Sequence, residues 1–326
     1  MRRAFMKPIL ERVAPRVGAT VEFEPRYGFV GRIQFPNGRA SFFWDNKFNL
    51  NPISSVKVVR DKAYTTFFLR SLGYRTPEEG TFFRERFRAH VGGGGTDEAA
   101  AYAAALGYPV FVKPVDLSMG RLVEKVWSEP ELRAAAERVF AVSRVMLVQR
   151  ACPGVDHRLI VLDGRLLRAY ERRPLAVVGD GRSTVDDLLA ALQRSFEEAG
   201  RDTVLPIADP RIDASLARSG AARSTVLDEG ATLPLLDVAN LSTGGEARDV
   251  TGEIHPTLAD LAIRVTRDFD LRFAGVDVLT ADARAPLGEY TILEINSAPG
   301  LDYYTASEAD VDAAYEEVLR AVGEGP

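Results

Sequence analysis

The stretch Phe273-Ala-Gly-Val-Asp277-Val-Leu-Thr280, with Tyr290-Thr-Ile-Leu-Glu294-Ile-Asn296-Ser-Ala-Pro-Gly300 after an intervening loop, decides the reading of the fold. Each segment is an apolar strand carrying a carboxylate where a free charge would be costly. Glu294 and Asn296 stand two apart and share one strand face. A neighbouring strand can bring Asp277 to that face. Two carboxylates and an amide oxygen form a hard, all-oxygen set suited to Mg²⁺ shared with substrate phosphates. The same residues also read as a hydrogen-bonded pair of strand-end carboxylates.

Upstream, Tyr108-Pro-Val-Phe-Val-Lys113-Pro114 ends an apolar strand on a lysine, and Asp116-Leu-Ser118-Met119-Gly120-Arg121 follows as a short loop. A lysine so placed can reach a phosphate as a point charge, and loop amides can cradle the outer phosphates. A lysine snorkelling from a strand end is the plainer alternative. Only six of the 41 basic residues are lysine, so Lys62 and Lys113 stand out as places where a compact ammonium is wanted. Val145-Met-Leu-Val-Gln149-Arg150-Ala151-Cys-Pro-Gly154-Val-Asp156 is a strand running into a turn. Its backbone can meet an adenine edge, and Asp156 can meet ribose hydroxyls.

Hydrophobic periodicity gives the rest of the chain. A small α/β unit fills the first 60 residues: a helix over 5–17, a strand over 20–24, and a hairpin around Asn37-Gly38. Residues 49–55 read as a linker and 61–72 as a helix that Gly73 can cap. A loop begins at Pro77. The glycines 92–95 lack the Gly-Lys-Ser/Thr ending of a P-loop and read as a joint between subdomains, with Thr96 capping the next helix. Further helices are expected over 129–140, 184–199, 256–269 and 307–322. Residues 201–236 read as irregular, and Arg201, Arg211, Arg218 and Arg223 there could meet a substrate carboxylate. His157 reads as packed, His255 as the start of a helix, and Cys152 as inert. The expected divisions are 1–60, 61–155 and 156–326.

Composition excludes several classes. A net charge of −5 lacks the basic footprint of a nucleic-acid binder. No apolar run approaches the ~20 residues that span a bilayer, and the basic start is broken by Lys7, Pro8 and Glu11. One cysteine excludes an internal disulfide, which makes a reducing cytoplasm the default compartment. The expectation is no nucleic acid and no membrane.

In this order the pieces resemble the ATP-grasp fold, and more narrowly the ATP-grasp module of cyanophycin synthetase and of bifunctional glutathione synthetases. The matching stretches are Asp61-Lys62-x-x-Thr65, Gly107-Tyr-Pro-Val-x-Val-Lys113-Pro, Gly154-x-Asp156-His157-Arg158-Leu, Glu171-Arg172-x-Pro174-x-x-Val-Val-Gly179-Asp180-Gly181-x-x-Thr184, Asn240-Leu-Ser-Thr-Gly244-Gly245-x-Ala-x-Asp249-Val-Thr, His255-Pro256 and Glu294-Ile-Asn-x-x-Pro-Gly. The resemblance implies an α+β fold in which two α/β subdomains clasp ATP. It implies an ADP-forming carbon–nitrogen ligase acting on a small carboxylate and an amine through an acyl phosphate. A homodimer is compatible with it.

By resemblance, Lys62 and Lys113 contact the phosphates, and Ser118 to Arg121 form the loop over the triphosphate. Gln149, Arg150 and Ala151 lie at the adenine hinge and Asp156 at the ribose. Arg172 stabilises the γ-phosphate and the acyl phosphate. Asn240, Gly244 and Gly245 line the acyl-phosphate site, where paired glycines let N–H groups approach an oxyanion. Asp277, Glu294 and Asn296 hold Mg²⁺ or Mn²⁺, two ions in the family. This chain departs at Leu117 and Leu122, where the family's loop is richer in glycine, at Gln149, where the hinge often has a glutamate, and in its short leading unit. It also lacks the Mur-ligase-like half and the glutamate–cysteine ligase domain of those relatives, so a stand-alone ligase is expected. A small-molecule kinase and a non-catalytic nucleotide-binding module are the alternatives.

Overall fold

A computed structural model describes residues 5–117, 120–198, 203–205, 207–301 and 307–325. The chain divides into two units that interleave in sequence. The first comprises Met1–Thr76, Pro153–Glu171 and Arg248–Pro326; the second comprises Pro77–Cys152 and Arg172–Ala247. Residues 1–60 fall wholly in the first unit, whereas 61–155 and 156–326 are each shared between the two.

The first unit is built on a five-stranded sheet in the order Glu246–Asp249, Arg165–Arg173, Val155–Leu162, Phe273–Thr280, Tyr290–Asn296. Phe273–Thr280 is antiparallel to both of its neighbours. Period-2 alternation sends Ala274, Val276 and Val278 into the core, where they join Leu258, Leu261, Ala262 and Val265 of the helix Pro256–Asp268. Gly275 and Asp277 are left on the opposite face. In Tyr290–Asn296 the register shifts between Asp277 and Val278, so Leu293 is the extra residue of a β-bulge. The bulge keeps Ile292 and Ile295, three apart, in the core and turns Glu294 and Asn296 to the face of Asp277. Leu261→Ala is expected to destabilise by about 2–5 kcal/mol, read as a lower urea midpoint at unchanged m-value.

The N-terminal segment of this unit is a helix, Met6–Val13, and a meander of Thr20–Phe23, Val30–Gln34 and Ala40–Trp44. Arg12 and Arg16 clamp the buried Asp312 of the helix Glu308–Glu324 at 2.9 and 2.7 Å. The expected linker 49–55 is shorter than read: its last three residues already belong to the helix Ile53–Arg60, which starts after Pro52 and buries Val59.

The second unit holds a four-stranded antiparallel sheet in the order Glu79–Phe83, Val145–Arg150, Val110–Pro114, Glu124–Val126. Phe82, Val110, Val112, Val126, Met146 and Val148 lie on the face covered by the helices Thr96–Leu106 and Glu129–Val142. Glu79, Phe111, Lys113 and Gln149 lie on the other face by register. The loop expected after Pro77 is therefore an edge strand, and the helix Glu85–Val91 follows it.

The glycine run 92–95 joins two helices of this one unit and is not a joint between subdomains. The Phe83 N–H donates to the Gly94 carbonyl at 2.9 Å, and a Cβ on Gly93 would lie 2.7 Å from the Phe83 ring. Gly95, not Thr96, is the cap: its N–H donates to Glu98 Oε2 at 2.8 Å.

A second core in this unit gathers Leu175, Val177, Leu189, Ile212, Leu216 and Leu235. The stretch expected to be irregular contains the helix Pro210–Arg218 and the strand Thr232–Pro234. Asp209 caps that helix, and Ile212 and Leu216, one turn apart, anchor it. No helix among the described residues is long and apolar enough to cross a membrane.

Candidate active site

In the first unit, Asp277 pairs with Glu294 and Gly275 with Asn296 across the antiparallel register. The three predicted ligands meet as expected. Asn296 Nδ2 donates to Asp277 Oδ2 at 3.4 Å and to Glu294 Oε1 at 3.2 Å. Asp277 is 1% exposed, and its charge is balanced by Arg158, which stands opposite it on Val155–Leu162. Arg158 Nε and Nη2 each donate to an Asp277 oxygen at 2.6 Å, and Nη2 lies 3.6 Å from Glu294 Oε1. This bidentate pair is a strong, planar recognition. Arg158 stands in the Asp156-His-Arg motif, but its partnership with Asp277 rests on a strand register that the sequence does not display.

The donor chemistry fits Mg²⁺. The Asn296 amide donates through its nitrogen, and its Oδ1 and Glu294 Oε2 have no hydrogen-bond partner among the described residues. Among those residues no group of three or more His, Cys, Asp or Glu is placed to hold a metal. One or two carboxylates, an amide oxygen and substrate phosphates are nevertheless the usual Mg²⁺ complement.

In Asp61-Lys62-x-x-Thr65 two of the three motif residues have local tasks. Asp61 Oδ1 caps the helix Lys62–Ser71, accepting from Ala63 and Tyr64 N–H at 2.9 and 3.1 Å. Thr65 Oγ1 donates to the Asp61 carbonyl at 2.8 Å. Lys62 is the first helical residue. Asp156 lies opposite Leu279 near the start of its strand. His157 is buried, with Nδ1 3.0 Å from the Val155 carbonyl, and His255 caps the helix Pro256–Asp268 through Thr257, as read from sequence.

In the second unit Lys113 is 7% exposed and Gln149 3%. Lys113 Nζ donates to Gln149 Oε1 at 2.9 Å, and Gln149 Nε2 donates to Glu79 Oε2 at 2.6 Å. The lysine is thus built into a buried network, not merely snorkelling. Glu79 was missed because its edge strand carries a glycine and reads as loop. Arg150, beside Gln149, is exposed and bonds Glu78 Oε2 and the Leu106 carbonyl at 2.9 and 2.8 Å. Ala151 follows the strand end.

Ser118 and Met119 lie outside the described residues. Gly120 has φ +64°, and a methyl added there would overlap Asn240 Nδ2, so the loop's glycine and Asn240 sit together. Leu122 has φ +55°, a conformation costly for a branched side chain, and packs on the unit's own core. The glycine requirement at 244–245 is steric. Gly244 has φ +94°, and a Cβ on Gly245 would lie 2.8 Å from the Arg173 carbonyl. The Gly244 and Gly245 N–H groups donate to the Leu241 and Asn240 carbonyls at 3.2 and 3.0 Å. Donors left open for an oxyanion, the sequence expectation, are not what this loop presents.

Arg172 is 8% exposed, near the end of Arg165–Arg173. Asp180 closes a turn by accepting from Arg182 N–H, Ser183 N–H and Ser183 Oγ, which holds its carboxyl down to about 2.

The expected substrate arginines are already engaged. Arg211 is bidentate to Asp209, Arg218 bonds Asp237, and Arg223 bonds Asp213 and Asp186. Arg201 lies outside the described residues.

Residues 238–320 match the RimK-like ATP-grasp domain. The fold is the α+β ATP-grasp fold: a bifunctional glutathione synthetase from Pasteurella multocida superposes with a TM-score of 0.59 at 19% identity, over 93% of this chain and 42% of that one. Cyanophycin synthetase of Nostoc sp. is 39% identical over 220 residues, 64% of this chain and 24% of that protein. The bifunctional glutathione biosynthesis protein of Streptococcus mutans is 28% identical over 257 residues, 75% of this chain and 32% of that protein. The chain thus spans about a quarter to a third of the length of these curated relatives.

Proposed function

We propose that the chain is an ATP-dependent carboxylate–amine ligase that joins small substrates, amino acids among them, and releases ADP and phosphate. The observation that carries this reading is the meeting of Asp277, Glu294 and Asn296 on the face of the five-stranded sheet opposite the helix Pro256–Asp268. Adenine binding alone needs no such oxygen cluster. The names of the relatives, synthetases of cyanophycin and glutathione, support amide formation from amino acids.

Glu294 and Asn296, with Asp277 held by Arg158, would bind Mg²⁺ or Mn²⁺, which supplies charge neutralisation at the phosphates. Lys62 and Lys113 bind phosphate oxygens, and Ser118, Met119 and Gly120 close over them. Gln149, Arg150 and Ala151 meet the base, and Asp156 the ribose. Arg172 stabilises the transferring phosphoryl group, which is largely a task of positioning and electrostatics. Asn240, Gly244 and Gly245 shape the place where the acyl phosphate waits. The amine must be neutral to attack it, so the rate should rise with pH until another group limits it.

A screen of amino-acid pairs for ATP-dependent phosphate release identifies the donor. Incubation of that donor with ATP and hydroxylamine should then yield a hydroxamate and an equal amount of ADP. AMP as product would overturn the acyl-phosphate mechanism. ADP with a stable phosphorylated product, indifferent to every amine, would make the protein a kinase.

A further inference from the structure

The side chains of Lys113, Gln149 and Glu79 form an ordered row on one face of the four-stranded sheet. Gln149 stands opposite Glu79 on one side and Phe111 on the other, and Lys113 is two residues on from Phe111. The Gln149 carboxamide accepts from the Lys113 ammonium through Oε1 and donates to the Glu79 carboxylate through Nε2. It therefore offers its neighbours one acceptor and one donor, side by side.

The major-groove edge of adenine offers the same pair, acceptor N7 beside donor N6–H₂, whereas guanine offers two acceptors, N7 and O6. An ammonium has three donors and serves more than one acceptor. Glu79 Oε1 has no hydrogen-bond partner among the described residues. The neighbouring Glu78 is engaged by Arg150 and, by strand alternation, faces the other way.

We infer that Glu79 is the specificity-determining residue for the purine, accepting a hydrogen bond from the adenine 6-amino group while Lys113 donates to N7. Guanine or hypoxanthine would place its O6 against the Glu79 carboxylate, a repulsive contact that adds discrimination. The inference also accounts for Gln149 at a hinge position that is often glutamate: the acid has moved to the edge strand. A second carboxylate at 149, within 2.6 Å of Glu79, could not share the site ionised. This inference rests on the nucleotide-binding reading above.

The test is isothermal titration of the intact protein with ADP, GDP and IDP, for the wild type, Glu79→Gln and Glu78→Gln. The wild type should prefer ADP over IDP by roughly tenfold to a hundredfold, the range of one good paired contact. Inosine isolates position 6, because it lacks the 2-amino group of guanine. Glu79→Gln, whose amide can donate to O6, should weaken ADP, strengthen IDP and bring the two within about threefold. Glu78→Gln should leave the wild-type ratio in place. A wild type that binds IDP as well as ADP overturns the inference whatever the variants do. So does a folded Glu79→Gln that keeps the wild-type ratio, and in both cases nucleotide binding itself stands. A wild type that binds none of the three overturns the parent reading as well.

Discussion

Glu294→Gln is expected to lower kcat about 10²- to 10³-fold, while Glu289→Gln, on the same strand hairpin, changes it by less than about twofold. The two glutamates are chemically identical, and their settings separate them. Glu294 shares the Asn296 amide with the buried Asp277, and its Oε2 has no hydrogen-bond partner among the described residues. The Glu289 side chain is 86% exposed and pairs, among the described residues, with Arg75, an interaction of the kind that contributes little. The substitution to glutamine keeps the volume, removes the anionic ligand, and sets an NH₂ group against the Asn296 donor. The concentration of Mg²⁺ that half-restores activity after EDTA should rise at least about tenfold in Glu294→Gln. Equal rates for the two variants, or an unchanged Mg²⁺ requirement, would remove Glu294 from the metal site.

Lys113→Met should weaken nucleotide binding and turnover together, by about a hundredfold in kcat/KM, with a small change in the urea midpoint. Methionine is the informative choice because the lysine is 7% exposed and its stem fills space. Alanine would add a cavity cost to the loss of charge. The buried setting thus sets aside the plainer alternative of a lysine snorkelling from its strand end. The ammonium is held in place by Gln149, so the bond has one fixed direction and the charge a defined position. Residual activity that tracks the folded fraction, with normal ADP affinity in the folded part, would make Lys113 a structural residue.

The ligand cluster could be read from the sequence because strand alternation has a period of two. Glu294 and Asn296 must share a face, and an apolar strand bearing Asp277 has few places to stand except beside them. The bulge at Leu293 could not be read, since Ile292-Leu-Glu-Ile295 fits a regular strand equally well. Arg158 escaped for a different reason: its partner lies 119 positions downstream and only the register joins them. Glu79 and the helix Pro210–Arg218 sit among prolines, glycines and charges that mimic loop composition, and tertiary packing at Phe82, Ile212 and Leu216 overrides that signal. Motif residues such as Asp61, Thr65 and Asp180 turned out to have local backbone tasks, so their recurrence in a motif does not require contact with a substrate.

The interleaving of the two units has a consequence for synthesis on the ribosome. All of the second unit has been translated once Ala247 is added. The first unit is still open at that moment, because Val155–Leu162 can pair with Arg165–Arg173 but not yet with Phe273–Thr280. One long apolar edge, bearing Leu159, Ile160 and Val161, waits for a partner about 110 residues downstream, on the order of ten seconds of elongation. Such an edge invites pairing with another nascent chain. Slow translation between codons 162 and 273 should therefore lower the soluble yield more than equal slowing elsewhere, and a stop codon in that interval should yield insoluble fragments.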